Sequence, residues 1–323
     1  MVLPSRVVIS AEVSPDRADR VLALCLPESP TRSSVARLIQ EGRVRRGNVI
    51  LRPSSLLRPG DVVEIEEAQP SVRQSASRDS TAFTVLYEDE EIVVVDKPAG
   101  LAVHPGSGRA SGTLMDLLVA GRPEMVGVGE PGRWGIVHRL DRDTSGVIVA
   151  AKTRQAHERL SAGFRNHSTD RTYVALVRGV PVRDEGIVDV PIGRHPKDRK
   201  RISTSTDKAR LATTRWRVQE RFEETSVLVI TPLTGRTHQI RVHLAYAGLP
   251  VLGDQVYGRV RKGSRPQTPC TRVALNLMTR QALHAQSLGF THPRDGRHVE
   301  FSSPLPEDMA LVLRLLREGL CPA

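Results

Sequence analysis

His138-Arg139-Leu140-Asp141-Arg142-Asp143-Thr144-Ser145-Gly146 is the stretch that decides how this sequence is interpreted. It lies between two apolar runs, 136–137 and 147–151, that are typical of strands. We therefore expect a turn that presents its polar side chains outward. Because cationic neighbours favour the charged form of a carboxylate, Asp141 is expected to stay ionised between its two arginines. A surface ion-pair cluster fits these residues as well as a catalytic acid does.

The sequence after residue 82 predicts a mixture of strands and helices. Apolar runs predict strands at 83–87, 92–95, 136–137, 147–151, 172–177, 227–231 and 239–243. Apolar residues at helical spacing predict helices near 114–118, 155–164 and 309–316. We find no regular strand-helix-strand alternation and no internal repeat, which argues against a doubly wound parallel sheet and favours an α+β fold.

A smaller unit is predicted at the amino terminus. Ser14-Pro15 is a typical helix start, and a second helix is expected from about Thr31 to a left-handed stop at Gly42. Strands are predicted at 49–51 and 62–65, separated by a turn at 58–61. The serine-rich stretch that follows has no apolar periodicity. We therefore predict a small module at 1–68, a linker at 69–82 and a main domain at 83–323.

The charge balance favours a polyanionic partner. The chain carries 47 Lys and Arg against 36 Asp and Glu, a formal net charge of +11. A solvated basic surface would also give this excess, but clustering of the charge is what an RNA backbone selects. One cluster, opposed in sequence only by Glu41, comprises Arg32, Arg37, Arg43, Arg45 and Arg46. A second basic run, 194–217, includes Arg199, Lys200, Arg201 and Lys208.

Several classes of protein are disfavoured by the sequence. The pattern G-x-G-x-x-G at 127–132 contains Pro131 and is followed by a strand-like run, so no helix start is expected to hold a pyrophosphate. His238 and His243 are five residues apart without an acidic third ligand, and the three cysteines form neither a zinc site nor a disulfide framework. We expect no cofactor and no metal. The absence of a membrane-length apolar stretch and of a secretion pattern predicts a cytoplasmic protein.

The stretch 138–146 resembles the catalytic signature His-Arg-Leu-Asp-x-x-Thr-Ser-Gly of the RNA pseudouridine synthase family typified by RluA and RluD. Further segments are similar to that family in order and spacing, and the resemblance spans about 83–316. These segments are 87–106, Arg171-Thr172-Tyr173, 235–243 and Leu283-His284-Ala285. Within this group, 235–243 is expected to be a basic strand.

The resemblance implies a pseudouridine synthase fold, with a mixed, mostly antiparallel central sheet and flanking helices. It implies that Asp141 cleaves a glycosidic bond, that Arg241 binds this carboxylate bidentately, and that Tyr173 stacks near the uracil and serves as a base. Addition of Asp141 to the ribose, addition to the base and elimination to a glycal all fit, and we favour the glycal route. The substrate-binding residues implied are His138, Arg139, Arg236, His238 and Leu283.

The segment 14–68 resembles the small RNA-binding module named after the fourth small-subunit ribosomal protein. Together the two resemblances imply a monomer that binds RNA, with bacterial large-subunit ribosomal RNA as the expected substrate and transfer RNA as the alternative. A non-catalytic RNA-binding or ribosome-assembly protein would share the charge pattern, but not the set of Asp141, Tyr173 and Arg241. A methyltransferase is disfavoured because the sole glycine fingerprint is misplaced.

Overall fold

The computed structural model describes residues 6–26, 32–40, 42–47, 49–65, 82–105, 111–198, 201–258 and 268–319, except for the side chains of Ser33, Ser34, Arg37 and Gln40. The chain divides into two compact units, 1–75 and 76–323. The segment 66–81, which contains most of the predicted linker, lies outside the described residues. The division falls within that segment, and the role of the first unit stays a prediction.

The first unit is a small sheet with two helices. A four-stranded sheet has the order β1-β6-β3-β4, and β2 pairs with β5 separately. Side chains of both helices and the sheet, such as Val21, Leu22, Ile39 and Val63, share one buried core. The elements are β1 Arg6–Val8, β2 Asp16–Arg17, α1 Ala18–Cys25, α2 Arg32–Gln40, β3 Val44–Arg46, β4 Val49–Ile50, β5 Leu56–Leu57 and β6 Val62–Ile65.

The predicted start of the first helix at Ser14-Pro15 is wrong. The chain stays extended through β2, and α1 begins at Ala18. The first N–H groups of α1 are not capped by a side chain but donate to loop carbonyls: Ala18 N donates to Ser55 O and Asp19 N donates to Pro53 O. The predicted stop at Gly42, with φ +74°, and the turn closed by Asp61 N donating to Arg58 O are confirmed.

The second unit is built on a nine-stranded sheet. Its order is β11-β14-β15-β10-β16-β9-β8-β7, and β17 pairs with β16. All described pairings in this sheet are antiparallel except β9 with β16, so the expected mostly antiparallel sheet is confirmed. The elements are β7 Thr84–Glu88, β8 Ile92–Lys97, α3 Leu114–Gly121, β9 Ser145–Ala151, α4 Arg154–Arg165, β10 Asp170–Arg178, β11 Glu185–Asp189, β12 Gly193–Arg194, β13 Ile202–Ser203, β14 Thr213–Arg221, β15 Thr225–Pro232, α5 Gln239–Tyr246, α6 Pro269–Leu277, β16 Leu283–Thr291, β17 His298–Ser302 and α7 Glu307–Glu318.

The continuous apolar runs of β8 and β9 are explained by burial on both faces. Ile92 and Val94 pack in one cluster with Leu160 of α4, whereas Val93 and Val95 pack in another with α3. Successive side chains of a strand point to opposite faces, so the two helices cover opposite sides of these strands.

The parallel pair of β9 and β16 positions the signature stretch. Ser145, at the start of β9, is in register with His284. Parallel strands begin at the same edge, so the loop that precedes β9 lies beside Leu283, the first residue of β16. Gly146 permits the close approach, because a Cβ there would lie 2.1 Å from Ala285 O and the backbone has φ +118°.

Two predicted strands of this unit are wrong. Residues 239–243 belong to α5, a helix in which Gln239, Ile240, Arg241, Val242, His243 and Leu244 are all buried. Polar and apolar residues alternate there as in a strand, but both sets are buried in this helix, so the alternation does not mark one exposed and one buried face. Residues 136–137 form only an isolated bridge between Ile136 and Ala150. The three predicted helices are confirmed, and the predicted strands at 83–87 and 92–95 are confirmed as β7 and β8, which pair as an antiparallel hairpin.

Two further findings concern the excluded classes. Cys25 is a free thiol, but Cys270 is disulfide-bonded, so the expectation that the cysteines form no disulfide is wrong at that position. None of the described helices is both long enough and apolar enough to cross a membrane.

Candidate active site

One cavity of about 560 Å³ in the second unit brings the predicted catalytic and substrate-binding residues together. Its wall is formed by the signature loop, the start of β10, the turn before α5 and the start of β16. The predicted residues that line it are Asp141, Tyr173, Arg241, His138, Arg139, Arg236, His238 and Leu283.

The loop that carries Asp141 is held by a buried lysine. The Nζ of Lys97 donates to Pro98 O and Leu101 O, each at 2.9 Å, and to Arg142 O at 3.0 Å. Burial lowers the pKa of Lys97 to about 7, although Asp143 and Asp141 oppose this shift. Three carbonyl acceptors need three N–H donors, which only the ammonium form supplies. The geometry therefore favours a charged lysine under the loop.

The counter-charge of Asp141 comes from far along the chain. Arg241 Nη1 donates to Asp141 Oδ2 at 2.9 Å, and the two side chains are 6% and 16% exposed. Arg142, which was expected to flank Asp141, instead pairs with Asp143: its Nε and Nη2 donate to the two carboxylate oxygens at 2.8 and 2.9 Å. The predicted bidentate contact between Arg241 and Asp141 is wrong, because only one N–H reaches Asp141.

The bidentate partner of Arg241 is Asp254, which the sequence analysis missed. Arg241 Nε and Nη2 donate to its two oxygens at 2.7 and 2.9 Å. The Asp254 side chain is fully buried. Burial alone would raise the pKa of Asp254, but the hydrogen bonds and charge of Arg241, with the N–H groups of Tyr257 and Val256, outweigh it and lower the pKa. Arg241 thus lies between two carboxylates.

His238 approaches Asp141 from another side. Its Nδ1 lies 2.9 Å from the Tyr257 hydroxyl, which also accepts the Ile202 N–H at 2.8 Å. Burial lowers the pKa of His238, with Asp141 opposing the shift, so the ring is neutral at pH 7. If the hydroxyl donates to Nδ1, the ring proton is on Nε2, which is 3.9 Å from Asp141 Oδ1. That distance allows an electrostatic contact but no direct hydrogen bond.

A chain of polar contacts fixes α5 against β14. His243 Nε2 lies 2.9 Å from Val190 O and its Nδ1 lies 2.8 Å from Thr214 Oγ1. Gln239 Nε2 donates to Thr213 O and Thr214 Oγ1, each at 3.0 Å. At the helix start, His238 has a left-handed backbone with φ 54°. Arg241 therefore projects from a helix whose buried polar groups have partners.

Apolar and aromatic side chains form the rest of the wall around Asp141. Tyr173 follows a register shift between β10 and β16, and burial raises its pKa, which Asp141 reinforces and Arg171 opposes. Leu283 is buried beside it. His138 stacks on Phe164 with ring centroids 4.3 Å apart, and its Nε2 accepts Val149 N–H at 3.0 Å. Burial lowers the pKa of His138 to about 3, with Arg171 adding to the shift.

The mouth of the cavity is strongly basic. Six arginines line it besides Arg241, whereas Asp141 is the one carboxylate among the described lining residues. We call this set the arginine rim: Arg133, Arg139, Arg165, Arg171, Arg210 and Arg236. Arg171 and Arg236 donate to the carbonyl oxygens of Pro232 and Leu211. Arg139 is exposed.

The second predicted basic run is partly described. Arg201 precedes β13 in the hairpin of β12 and β13, and its guanidinium lies 5.7 Å from the centroid of the Tyr257 ring. Lys208 is exposed beyond the hairpin. Arg199 and Lys200 lie outside the described residues.

The first basic cluster belongs to the first unit, and two of its arginines pair with acids that are distant in sequence. Arg32 contacts Asp19 at 2.9 Å and Arg46 contacts Asp61 at 3.0 Å. Arg43 and Arg45 follow α2, and the side chain of Arg37 is not described. The linear sequence places only Glu41 within this cluster, but in the fold Asp19 and Asp61 also oppose its positive charge.

The fold and the sequence agree on the class of protein. A human protein titled RNA Pseudouridylate Synthase Domain Containing 4 shares this fold with a TM-score of 0.58 and 24% identity, covering 72% of this chain and 93% of that one. Residues 91–246 match the family described as RNA pseudouridylate synthase.

Two curated relatives align over nearly the whole chain. A Pseudomonas aeruginosa protein named ribosomal large subunit pseudouridine synthase D is 40% identical, covering 95% of this chain and 94% of that protein. A Bacillus subtilis protein named uncharacterized RNA pseudouridine synthase YlyB is 37% identical, covering 97% and 98%. This chain belongs to the RNA pseudouridine synthase family and is an isomerase that acts on uridine in RNA.

Proposed function

We propose that this enzyme converts one or a few specific uridines of bacterial large-subunit ribosomal RNA to pseudouridine, with Asp141 as the catalytic carboxylate. The observation that supports this role is the contact of Asp141 with Arg241 at 2.9 Å on the wall of a cavity rimmed by arginines. The printed name of the Pseudomonas aeruginosa relative supports the choice of ribosomal RNA. We place the reaction in the cytoplasm, where such RNA is found.

The reaction exchanges one bond of the ribose for another. The bond from C1′ to N1 of uracil breaks, the base turns, and C1′ bonds to C5, whose proton is lost while N1 gains one. No atoms or electrons enter or leave overall, so the proposal includes no cofactor and no metal. An ionised carboxylate can serve such a reaction, as one does in retaining glycosidases. In the glycal route, which we retain as the preferred course, Asp141 takes the C2′ proton as the bond from C1′ to N1 breaks, and the proton returns to C2′ when C1′ bonds to C5.

The contacts of Asp141 suit this task. Its Oδ2 accepts the Arg241 N–H, whereas Oδ1 is 3.9 Å from the nearest ion-pair partner described, His238 Nε2. We therefore assign Oδ1 as the oxygen that faces the reacting nucleoside. Leu283 and Tyr173 exclude water from the detached base, which would otherwise be lost by hydrolysis of the sugar.

Tyr173 is assigned to stacking on uracil and to receiving the C5 proton. Because burial raises its pKa, Tyr173 is a neutral phenol at pH 7. Its hydroxyl therefore passes its own proton on towards N1, which gains one, as it takes the proton from C5. His138, buried on Phe164, is assigned to holding the wall rather than to transferring a proton.

The arginine rim is assigned to the phosphates of the target strand. A folded RNA stacks its uridines, and swinging one out costs about a few kcal/mol. Contacts of Arg139 and Arg236 with phosphates offset that cost. Arg201, Lys208, Arg199 and Lys200 extend this contact. The first unit, with Arg32, Arg37, Arg43, Arg45 and Arg46, is assigned a further contact with RNA, and one copy of the chain suffices.

The test is a map of pseudouridine in total RNA from cells that lack the gene. We expect one or a few sites in large-subunit ribosomal RNA to disappear and to return with the wild-type gene but not with Asp141→Ala. Sites in transfer RNA would correct the substrate. An unchanged map, or restoration by Asp141→Ala, would contradict the proposal.

A further inference from the structure

We propose that Asp254 is a positioning residue for pseudouridine formation, which fixes Arg241 so that one N–H is aimed at Asp141. This inference rests on the proposed role of Asp141. Asp254 lies behind Arg241 with a fully buried side chain, so it acts through the arginine and not on the RNA.

The hydrogen bonds of Asp254 use both of its oxygens. Oδ2 accepts Arg241 Nε at 2.7 Å. Oδ1 accepts Arg241 Nη2, Val256 N and Tyr257 N, each at 2.9 Å. The guanidinium is planar, so a carboxylate bound to its Nε and Nη2 edge fixes the direction of Nη1. That remaining nitrogen is the one that contacts Asp141.

The turn that carries Asp254 has little freedom to move. Gly253 has φ +70°, and a Cβ at this position would lie 2.1 Å from Arg280 O and 2.4 Å from Met278 O. Gly258 closes the turn through its N–H to Asp254 O at 2.9 Å. The Tyr257 ring, 5.1 Å from the Arg241 guanidinium, covers the arginine from the same turn. Both partners of the bidentate pair are therefore held by rigid backbone.

Sharing Arg241 between two carboxylates has a chemical consequence for Asp141. A bidentate contact would occupy both oxygens of Asp141 and hold it away from the sugar. Because Asp254 takes the bidentate edge, Asp141 receives a single hydrogen bond on Oδ2 and keeps Oδ1 for the reaction. Asp254 thus sets both the direction and the strength of the contact that orients the catalytic carboxylate.

The experiment separates position from charge with two variants. Asp254→Glu keeps the negative charge but displaces it by one methylene, and Asp254→Asn keeps the shape but removes the charge. For Asp254→Glu we expect the single-turnover rate of pseudouridine formation to fall about 10²-fold, as an error of about 1 Å in geometry does. RNA affinity should stay within about 2-fold, because the Asp254 side chain is fully buried and cannot contact a phosphate. Glu88→Gln removes the charge of a carboxylate that pairs with Arg122 and Lys152 outside the cavity, and it is the control expected to keep the wild-type rate.

A double-mutant cycle shows whether Asp254 acts through Arg241. In an Arg241→Lys background, which lacks the planar edge, Asp254→Glu should lower the rate by less than about 3-fold. Asp254→Asn should lower the rate at least as much as Asp254→Glu in the wild-type background. If Asp254→Glu is folded by circular dichroism and retains the wild-type rate, or if its loss is equal in both backgrounds, the positioning role is wrong. An active Asp141→Ala enzyme would instead overturn the proposed function.

Discussion

Two regions of the cavity differ in the exposure and the partners of their arginines: the floor, around Asp141 and Arg241, and the mouth, formed by the arginine rim. At the floor, Arg241 is 6% exposed and contacts two carboxylates. At the mouth, the arginine rim has one carboxylate contact among its described side chains, between Arg133 and Glu130 at 3.8 Å, and both of these groups are more than half exposed. A buried guanidinium without an acid would be costly, whereas an exposed one remains hydrated until a phosphate replaces the water. Arg241 is therefore fixed by acids of the protein itself, whereas we expect the exposed arginines of the rim to be fixed by phosphates of the RNA.

Among substitutions that test this difference between floor and mouth, Arg241→Lys is expected to lower the reaction rate the most. Lysine keeps the charge but cannot bind Asp254 bidentately and direct a second N–H to Asp141. We expect the single-turnover rate to fall about 10²- to 10³-fold, with RNA affinity nearly unchanged. Rate and affinity should be measured on the same preparation. A variant that loses affinity but keeps the rate would show that Arg241 belongs functionally with the mouth.

Tyr173→Phe tests the aromatic wall of the same cavity. The ring remains to stack on uracil, but the hydroxyl that we assign to the C5 proton is removed. We expect about a 10²-fold lower rate of pseudouridine formation, the scale of losing a general base, at unchanged RNA affinity. Tyr173→Ala, which also removes the ring, should lose affinity for RNA that contains the target uridine. A wild-type rate for Tyr173→Phe would limit this residue to packing.

Arg236→Ala tests the mouth. Its guanidinium donates to Leu211 O and has no described acid partner, so its removal should leave the floor intact. We expect RNA affinity to fall about 10-fold near physiological salt and the slope of log affinity against log salt to decrease by about 1. Titrations at several salt concentrations measure both quantities. An unchanged slope would remove Arg236 from the phosphate contacts.

The smallest effect concerns pH and two half-buried histidines, His138 and His104. Burial holds the pKa of His138 at about 3 and that of His104 at about 4, below the usual 6.5. Between pH 6.5 and the lowered pKa values, the unfolded chain binds more protons than the folded one. The part of the free energy of unfolding that is present above pH 6.5 is therefore lost as the pH falls towards 3. We expect the free energy of unfolding to be about 1 to 2 kcal/mol lower at pH 5 than at pH 7.

His138→Gln provides the control for this pH effect. Its amide oxygen can accept the Val149 N–H without titrating, so the loss of stability between pH 7 and pH 5 should be smaller than in the wild type. Chemical unfolding at the two pH values measures the difference. Equal losses in both proteins would show that His138 does not carry the effect.

The sequence predicted the local parts of this molecule better than the long-range ones. The hairpin of β7 and β8 follows from apolar runs on either side of an acidic turn, and α7 follows from its apolar spacing. The prediction of a strand at 239–243 was wrong because a helix buried on all sides shows no amphipathic period. Propensity and alternation carry no information about such burial.

The candidate site was predicted where a motif carried it and missed where tertiary contacts made it. Asp141, Tyr173 and Arg241 were named from the resemblance, and the structure places all three on one cavity. Asp254 and Tyr257 were missed because their contacts with Arg241 depend on how a turn folds back onto α5. The signal available in sequence was slight: an Asp and a Tyr three residues apart, enclosed by Gly253 and Gly258.

The central claim is that the carboxylate of Asp141 detaches uracil from its ribose. The most direct measurement is tritium release from RNA labelled at C5 of uracil, with purified wild-type enzyme and folded Asp141→Ala. We predict release by the wild type and none above background by the variant, while both bind the RNA with similar affinity. Tritium release by Asp141→Ala at a rate comparable to the wild type would contradict the account.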